Sequence, residues 1–222
     1  MWGYYFEQLL HSLPMFWKGL AMTAGVSALS LVGGTIIGVV TGVLRARRRS
    51  IISHLLSLYV DFMRGTPFLV QLFIIFFILP EFGLQMEAFA AAVISLTIYA
   101  GSYICEIVCA AIEAVPSGQE EACRSLGHTH TQAMLLVILP QALRMALPAL
   151  VGQYVLLIKD SSIVSVIGLT DITRAGWLTV QRVPEGLMVF ALVGLLYFAV
   201  CFPLIHLSNY LERRFSTGEL KL

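Results

Sequence analysis

Charged residues are scarce in this chain: they make up 12% of its 222 residues, whereas 58% are hydrophobic. Soluble domains average about 25% charged residues, so the composition excludes an ordinary soluble protein. A membrane-spanning helix needs about 20 predominantly apolar residues. Five stretches reach that length, at about 17–44, 55–80, 87–110, 138–159 and 186–210. Because helices satisfy their own backbone hydrogen bonds in lipid, we predict an all-α integral membrane protein, with residues 1–222 as one membrane domain.

Motifs for chemistry are also missing. There is no Gly-x-x-x-x-Gly-Lys-Ser/Thr loop to hold nucleotide phosphates, and no serine–histidine–carboxylate set for covalent catalysis. Cys105, Cys109, Cys123 and Cys201 lack the histidine or carboxylate spacing of a metal site, so we predict free thiols. No basic patch lies outside the loops that flank the spans. We therefore predict a protein that is not an enzyme and binds neither a cofactor nor nucleic acid.

One polar segment separates the third span from the fourth. Ser117 with Glu120, and Thr129 with Gln132, each have the pattern of a capping box, which predicts two short helices. Gly127 lies between them and suits the left-handed conformation that ends a helix. A tight turn would connect the spans with less ordered chain, so we predict that a soluble partner docks on this helix pair. The alternative is an ordinary helical loop without a partner.

Three prolines predict changes in helix direction. Pro14 should separate an amphipathic interfacial helix at about 1–16 from the first span. Pro67, within the Arg-Gly-Thr-Pro sequence at 64–67, should turn the second span. Pro140 should prevent the second polar helix from continuing into the fourth span without a kink.

The polar segment carries a recognisable spacing. Glu121-Ala122-Cys123, followed after three positions by Gly127 and after nine more by Val-Ile-Leu-Pro at 137–140, resembles the EAA loop of ATP-binding-cassette (ABC) importer permeases. The sequence departs from that pattern at Cys123, usually alanine, and at Val137, usually isoleucine. The stretches 64–72 and 159–171 resemble the polar amino-acid subgroup of these permeases.

The resemblance implies a fold and a set of partners. It implies a type I ABC importer permease core with five transmembrane helices and a cytoplasmic coupling helix pair at about 112–137. It also implies a dimer of ATP-binding subunits that binds ATP and magnesium and docks at 117–136, a second permease subunit of the same or a related chain, and an external solute-binding protein. The residues expected to couple to the ATPase are Glu120, Glu121, Ala122, Cys123, Arg124, Leu126 and Gly127.

The distribution of Lys and Arg predicts the orientation in a bacterial plasma membrane. With the N-terminus outside and the C-terminus in the cytoplasm, ten cationic residues lie on or near the cytoplasmic side and four do not, as the positive-inside rule requires. The ten are Arg45, Arg47, Arg48, Arg49, Arg64, Arg124, Arg144, Arg213, Arg214 and Lys221; the four are Lys18, Lys159, Arg174 and Arg182. The same orientation places the polar helix pair in the cytoplasm, where a nucleotide-hydrolysing partner would meet it.

A glycine stripe marks the first span. Gly34, Gly38 and Gly42 recur every fourth residue and form a smooth ridge on which another helix can pack closely. By analogy with other permeases, the simplest assumption is that this ridge and neighbouring helices pair two permease subunits.

Charged residues inside the spans are the candidate substrate ligands. Glu106 in the third span would be costly to bury without a partner, so we predict that its carboxylate receives the ammonium group of an amino acid at the membrane midplane. A helix–helix salt bridge is the alternative. Lys159 and Asp160 could hold the two ends of a zwitterion, or satisfy each other. The full candidate set is Ser102, Tyr103, Glu106, Lys159, Asp160, Ser161 and Ser162.

A different class of function would be a secondary carrier or channel driven by an ion gradient. Such a protein could use Glu106 for ion coupling, but the five spans show no internal inverted repeat. Under the permease interpretation the resemblance implies a polar amino acid such as glutamine, glutamate, histidine or arginine, or an opine or cystine, without selecting one of them.

Overall fold

A computed structural model describes residues 2–46, 51–182 and 185–216, with the side chains of 2–6 and 216 left out. Four of the predicted cytoplasmic cations, Arg47, Arg48, Arg49 and Lys221, lie outside these residues. The helices are α1 (Trp2–Arg45), α2 (Ile51–Gly65), α3 (Phe68–Phe73), α4 (Ala88–Ala114), α5 (Ser117–Ser125), α6 (His130–Ala133), α7 (Leu139–Asp160), α8 (Ile172–Val180) and α9 (Gly186–Ser216). The described residues form no strand, as the all-α prediction requires.

Within the described residues, four helical stretches are long and apolar enough to cross a membrane: Glu7–Arg45, Ala88–Ala114, His130–Ile167 and Gly186–Phe215. A fifth span is formed if the bent pair Ile51–Gly65 and Phe68–Phe82 counts as one. The five predicted spans therefore correspond to these elements. The fourth is much longer than its predicted 138–159, because α6, a π-helical turn at Met134–Ile138, α7 and a 3₁₀ turn at Ser161–Ile167 follow one another without a break.

The predicted break at Pro14 is wrong. The helix α1 runs through Pro14, which removes one backbone donor but leaves the helical path intact. Leu9 and Phe16, on either side of the proline, are both buried in one cluster with Ile172 and Val189 of α8 and α9. Packing on both sides of Pro14 thus keeps the helix continuous where local propensity favours a break.

The predicted turn at Pro67 is confirmed, since the helices on either side of it meet at an angle of 105°. Pro67 has no N–H to donate to the carbonyl of Met63, four residues earlier. The buried side-chain amide of Gln71 replaces that donor: its Nε2 donates to the Met63 carbonyl at 2.8 Å and to the Thr66 carbonyl at 3.2 Å. One side chain therefore satisfies the backbone groups that the bend exposes.

The glycine stripe of α1 packs within the chain rather than between chains. A Cβ atom added to Gly34 would lie 2.9 Å from the Cβ of Ala100, one added to Gly38 would lie 2.5 Å from the Cβ of Ile104, and one added to Gly42 would lie 2.8 Å from the Cβ of Val108, all on α4. The α1–α4 contact is the most extensive between any two described helices. The assumption that this ridge pairs two subunits is therefore wrong, because the ridge is already covered by α4.

Pro140 does not end the helix that contains it. It lies in the first turn of α7, directly after the π-helical turn Met134–Ile138, and the helical path continues from α6 to the end of α7. A π-helical turn bonds to the fifth residue along instead of the fourth, and such turns accommodate a local disruption of the helix. The helix is therefore locally widened before Pro140, and it continues where the sequence predicted a kink.

Candidate functional site

The polar helix pair consists of α5 and α6, joined by a turn at Gly127. Gly127 has φ +85°, which confirms the predicted left-handed residue. The His128 N–H donates to the Cys123 carbonyl at 3.2 Å and the Gly127 N–H donates to the Arg124 carbonyl at 3.0 Å. These two bonds form a Schellman motif, which closes the C-terminus of α5 and sets the direction in which the chain leaves it.

The two predicted capping boxes differ in outcome. At α6 the box is present: Thr129 Oγ1 accepts from the Gln132 N–H, and the Gln132 side chain accepts from the Thr129 N–H at 2.8 Å. At α5 the predicted box of Ser117 and Glu120 is wrong. Pro116 occupies the N-cap position in an extended conformation, so Ser117 is already inside the helix and caps nothing.

Glu120 instead bridges the two helices. Its Oε1 lies 2.7 Å from Nδ1 of His130, the first residue of α6. The pair spans the Gly127 turn and ties α5 to α6 across it. Sequence reasoning missed His130 as a partner because only the turn brings it next to Glu120.

Most of the predicted coupling residues face outward. Glu121, Ala122, Arg124 and Gly127 are exposed, and Leu126 is 80% exposed. Cys123 is buried and lies on the side of α5 that faces the membrane domain. Ala122 and Leu126, four residues apart, therefore present an apolar contact surface that the described part of the chain leaves uncovered.

Glu106 lies in an ion cluster between three helices. Its Oε2 accepts a hydrogen bond from Arg45 at the end of α1 and forms an ion pair with Arg64 near the end of α2, at 3.2 Å. The Arg64 guanidinium also lies 5.5 Å from the ring centroid of Tyr103. The salt bridge that was the alternative interpretation of Glu106 is thus present. Sequence reasoning missed Arg45 and Arg64 as partners, although an intramembrane carboxylate does call for a nearby cation.

Glu106 lies on the α5 side of the middle of α4. It is five residues from Gly101, at the middle of the helix, and eight residues from its end at Ala114, about 7.5 Å and 12 Å at 1.5 Å per residue. The contact of its carboxylate with a substrate ammonium group at the membrane midplane stays a prediction. A cavity of about 330 Å³ adjoins it, lined also by Arg45, Ser53, His54, Ser57, Cys109, Ala110 and Glu113.

The other candidate substrate ligands lie elsewhere. Ser102 and Ser161 are buried, and each donates its hydroxyl at 2.7 Å to a backbone carbonyl in its own helical stretch. Lys159 is exposed, whereas Asp160 and Ser162 are half-buried. None of the residues 159–162 lines the cavity next to Glu106. The structure therefore separates the predicted ligands into an α4 group and a group at the far end of α7.

The Asp160 carboxylate is the less satisfied of the two acidic groups. Among the described residues, no hydrogen bond or ion pair to this carboxylate is found. The adjacent Lys159 acts on it only through the attraction between the two charges. Tyr99, which packs on Tyr103 with ring centroids 4.9 Å apart, lies within electrostatic range of Asp160. Tyr99 thus links the two groups of candidate ligands along α4.

Comparison with known proteins gives consistent results. The profile of the family described as binding-protein-dependent transport system inner membrane component matches residues 34–217. The L-cystine transport system permease protein TcyB of Bacillus subtilis (strain 168) is 35% identical over 202 residues, which cover 90% of this chain and 86% of that protein. The glutamine transport system permease protein GlnP of Escherichia coli (strain K12) is 35% identical over 205 residues, covering 91% and 94%.

Solved structures show the same similarity. A crystal structure of an amino acid ABC transporter with histidines superposes with a TM-score of 0.84 at 36% identity, covering 93% of this chain and 96% of that one. An inward-facing structure of the MetNI methionine ABC transporter superposes with a TM-score of 0.78 at 22% identity, which bears on the fold alone.

Proposed function

This chain belongs to the family of binding-protein-dependent transport system inner membrane components, and we propose that it forms the translocation path for a polar amino acid taken up into the cell. It is a permease subunit of an amino-acid ABC transporter, so ATP hydrolysis is carried out by a separate subunit. The ion-driven carrier or channel is not favoured, since the relatives are ABC permeases. The family implies an ATPase, a substrate-binding protein and a second permease subunit as partners.

The observation that carries the coupling role is the continuous helical stretch His130–Ile167. It begins at the exposed turn beside α5 and ends beyond Asp160, so it spans about 57 Å at 1.5 Å per residue over 38 residues. A push on α5 and α6 is transmitted along this rod to the far end of the molecule, because packed helices move as rigid bodies.

In this proposal the ATPase dimer binds the exposed surface of Glu121, Ala122 and Leu126. Closure of that dimer tilts the rod and exchanges an inward for an outward opening of the path. The Schellman turn at Gly127 and the pair of Glu120 with His130 hold α5 at a fixed angle to the rod, so the movement is not lost at the joint. We propose that the N-terminus lies outside and the C-terminus in the cytoplasm of a bacterial plasma membrane, because this orientation leaves ten of the fourteen Lys and Arg residues of the sequence on or near the cytoplasmic side.

For the substrate, the contacts favour Asp160 over Glu106 as the group that meets the ammonium of the amino acid. Glu106 is already paired with two arginines, whereas Asp160 forms no ion pair among the described residues. Tyr103 and Ser162 remain in the proposed contact set, whereas Ser102 and Ser161 are fully buried and already donate to backbone carbonyls. Binding of labelled amino acids to the cognate solute-binding protein would identify the transported species, because that protein makes the first selection.

The coupling role is tested by coexpression with the ATPase subunits and the solute-binding protein. We expect Glu121→Lys and Gly127→Val to insert normally but to lose copurification of the ATPase and substrate-stimulated ATP hydrolysis by more than tenfold. The matched control is Gly83→Val: Gly83 has φ +86°, close to that of Gly127, and a Cβ atom would meet nothing within 4 Å at either position. The backbone strain is therefore the same in both variants, and only the location differs.

Two results would contradict the proposal. One is full ATPase copurification and stimulation in both Glu121→Lys and Gly127→Val. The other is uptake of labelled amino acid into vesicles that contain the permease and an ion gradient but no ATPase subunit, which would restore the carrier interpretation.

A further inference from the structure

A second polar site lies around Arg174, at the end of the molecule opposite α5. The Arg174 guanidinium donates to the Ser165 carbonyl at 3.2 Å and lies 5.4 Å from the ring centroid of Trp177. Among the described residues, no Asp or Glu forms an ion pair with it. With five N–H groups in a planar fork, the guanidinium keeps most of its donors available for an anion.

The nearest carboxylate is already used within the fold. Asp171 is buried and accepts the backbone N–H groups of Thr173 at 3.1 Å and Arg174 at 2.8 Å, as well as the Tyr197 hydroxyl at 3.1 Å. These three donors hold it at the N-terminus of α8, turned toward the backbone. It therefore does not neutralise the guanidinium one turn away.

The depth of this site follows from its attachment to α1. A Cβ atom added to Gly19 would lie 2.7 Å from the Asp171 carbonyl oxygen, and the Ile172 N–H donates to Thr23 Oγ1. The distance along α1 from Gly19 to Arg45 is about 39 Å at 1.5 Å per residue. A bilayer with its headgroups is about 40–45 Å thick. With Arg45 at one interface, the start of α8 therefore lies at headgroup depth on the opposite face.

Apolar side chains around Arg174 are left partly exposed by the described residues. A cavity of about 340 Å³ next to it is lined by Ser165, Thr173 and three large side chains, Val166, Trp177 and Phe190. These three are 55%, 51% and 46% exposed. A tryptophan beside a cation at the headgroup level is the arrangement by which membrane proteins anchor at the interface. The guanidinium, which pairs with no described carboxylate, suits an anionic headgroup, and the apolar side chains around it suit the acyl chains below that headgroup. A contact with a water-soluble protein would not need this apolar surround.

We propose that Arg174, seated on Trp177, binds the phosphodiester of an anionic phospholipid whose acyl chains cover Val166 and Phe190. The guanidinium supplies the charge and paired donors for the phosphate oxygens, as arginine does at planar anion sites. Trp177 holds the guanidinium plane against the interface. The bound lipid closes the junction of α8, α9 and the 3₁₀ turn Ser161–Ile167, next to Asp160.

The test uses the complete transporter, permease with its ATPase subunits, purified in a non-ionic detergent. Dioleoylphosphatidylglycerol is titrated and the thermal unfolding midpoint recorded, with dioleoylphosphatidylcholine as the uncharged-headgroup reference and glycerol phosphate as the headgroup without acyl chains. We expect phosphatidylglycerol to raise the midpoint at concentrations where the other two do not. Arg174→Gln should raise the concentration needed for half the shift by about three- to tenfold.

The matched control is Arg182→Gln, which removes an exposed arginine from the same connecting segment. It should leave the titration unchanged. Trp177→Leu keeps the apolar rim but removes the aromatic face, and should weaken the lipid effect less than Arg174→Gln. Equal effects of the two arginine variants would show non-specific charge attraction and overturn the site. An unchanged lipid titration in Arg174→Gln, with weaker association of the second permease or the solute-binding protein in its place, would show that a protein occupies the patch.

Discussion

The contact between α1 and α4 depends on the absence of a single methyl group at Gly38. In Gly38→Ala the new Cβ would lie 2.5 Å from both Cβ and Cγ2 of Ile104, whereas carbon atoms pack at about 3.5–4.0 Å. The helices must separate locally by about 1 Å. That separation would also break the close packing of α1 on α4 at Gly34 and Gly42, one turn to either side. Overpacking of this kind costs about 1–3 kcal/mol of unfolding free energy.

Gly25→Ala is the matched control. Gly25 lies on the same helix, and a Cβ atom added there would meet nothing within 4 Å. Both variants gain about 1 kcal/mol in helix propensity, so their difference isolates the packing effect. We expect Gly38→Ala to be less stable than Gly25→Ala by about 1–3 kcal/mol when the purified permease is unfolded by SDS titration and followed by circular dichroism.

Equal stability of these two variants would refute the close packing of α1 on α4. A second outcome would refute its location within one chain: Gly38→Ala would then separate the permease pair on size-exclusion chromatography while leaving the unfolding of each subunit equal to that of Gly25→Ala.

The remaining predictions concern the acidic residues Glu120, Glu106 and Asp160. A double-mutant cycle of Glu120→Gln and His130→Ala should give a coupling free energy of about 0.5 kcal/mol in unfolding, because both side chains are partly exposed. The coupling free energy in stimulated ATP hydrolysis should be larger; additive effects on hydrolysis would exclude a joint role. Glu106→Gln should destabilise the permease by about 1–3 kcal/mol, because it removes the negative charge that Arg45 and Arg64 share, and wild-type stability would contradict the ion cluster. Asp160→Asn should raise the KM for transport with unfolding unchanged; a variant that transports normally would remove Asp160 from the substrate contacts.

Much of the local structure was predictable because it depends on near neighbours. The Arg-Gly-Thr-Pro sequence predicts the bend at Pro67, Gly127 predicts the left-handed turn, and Thr129 with Gln132 predicts the start of α6. Each rests on the conformational range or hydrogen bonding of a few consecutive residues, so no distant contact is needed to infer it. The EAA spacing and the hydrophobic spans likewise identified the family of the chain from a linear pattern.

Failures of sequence reasoning arose where distant residues compete with local preference. Pro14 favours a break, but Leu9 and Phe16 are held on both sides by α8 and α9, and that packing prevails. The failure at Ser117 is local instead: the residue fits the capping pattern, yet its neighbour Pro116 occupies the cap. The partner that Glu120 finds is His130, ten residues further along the chain.

By itself, then, the sequence determined that this chain is a helical membrane protein of the ABC permease family, that its second span bends at Pro67, and which segment between the third and fourth spans is polar. These follow from hydrophobicity, spacing and turn chemistry, which act over a few residues. Only the tertiary structure decided that the glycine stripe is covered by α4, that Glu106 is paired with Arg45 and Arg64, and that no carboxylate in the described part of the chain pairs with Arg174. Those facts depend on which helices meet and at what depth, and side chains that are far apart in sequence fix that arrangement by contact.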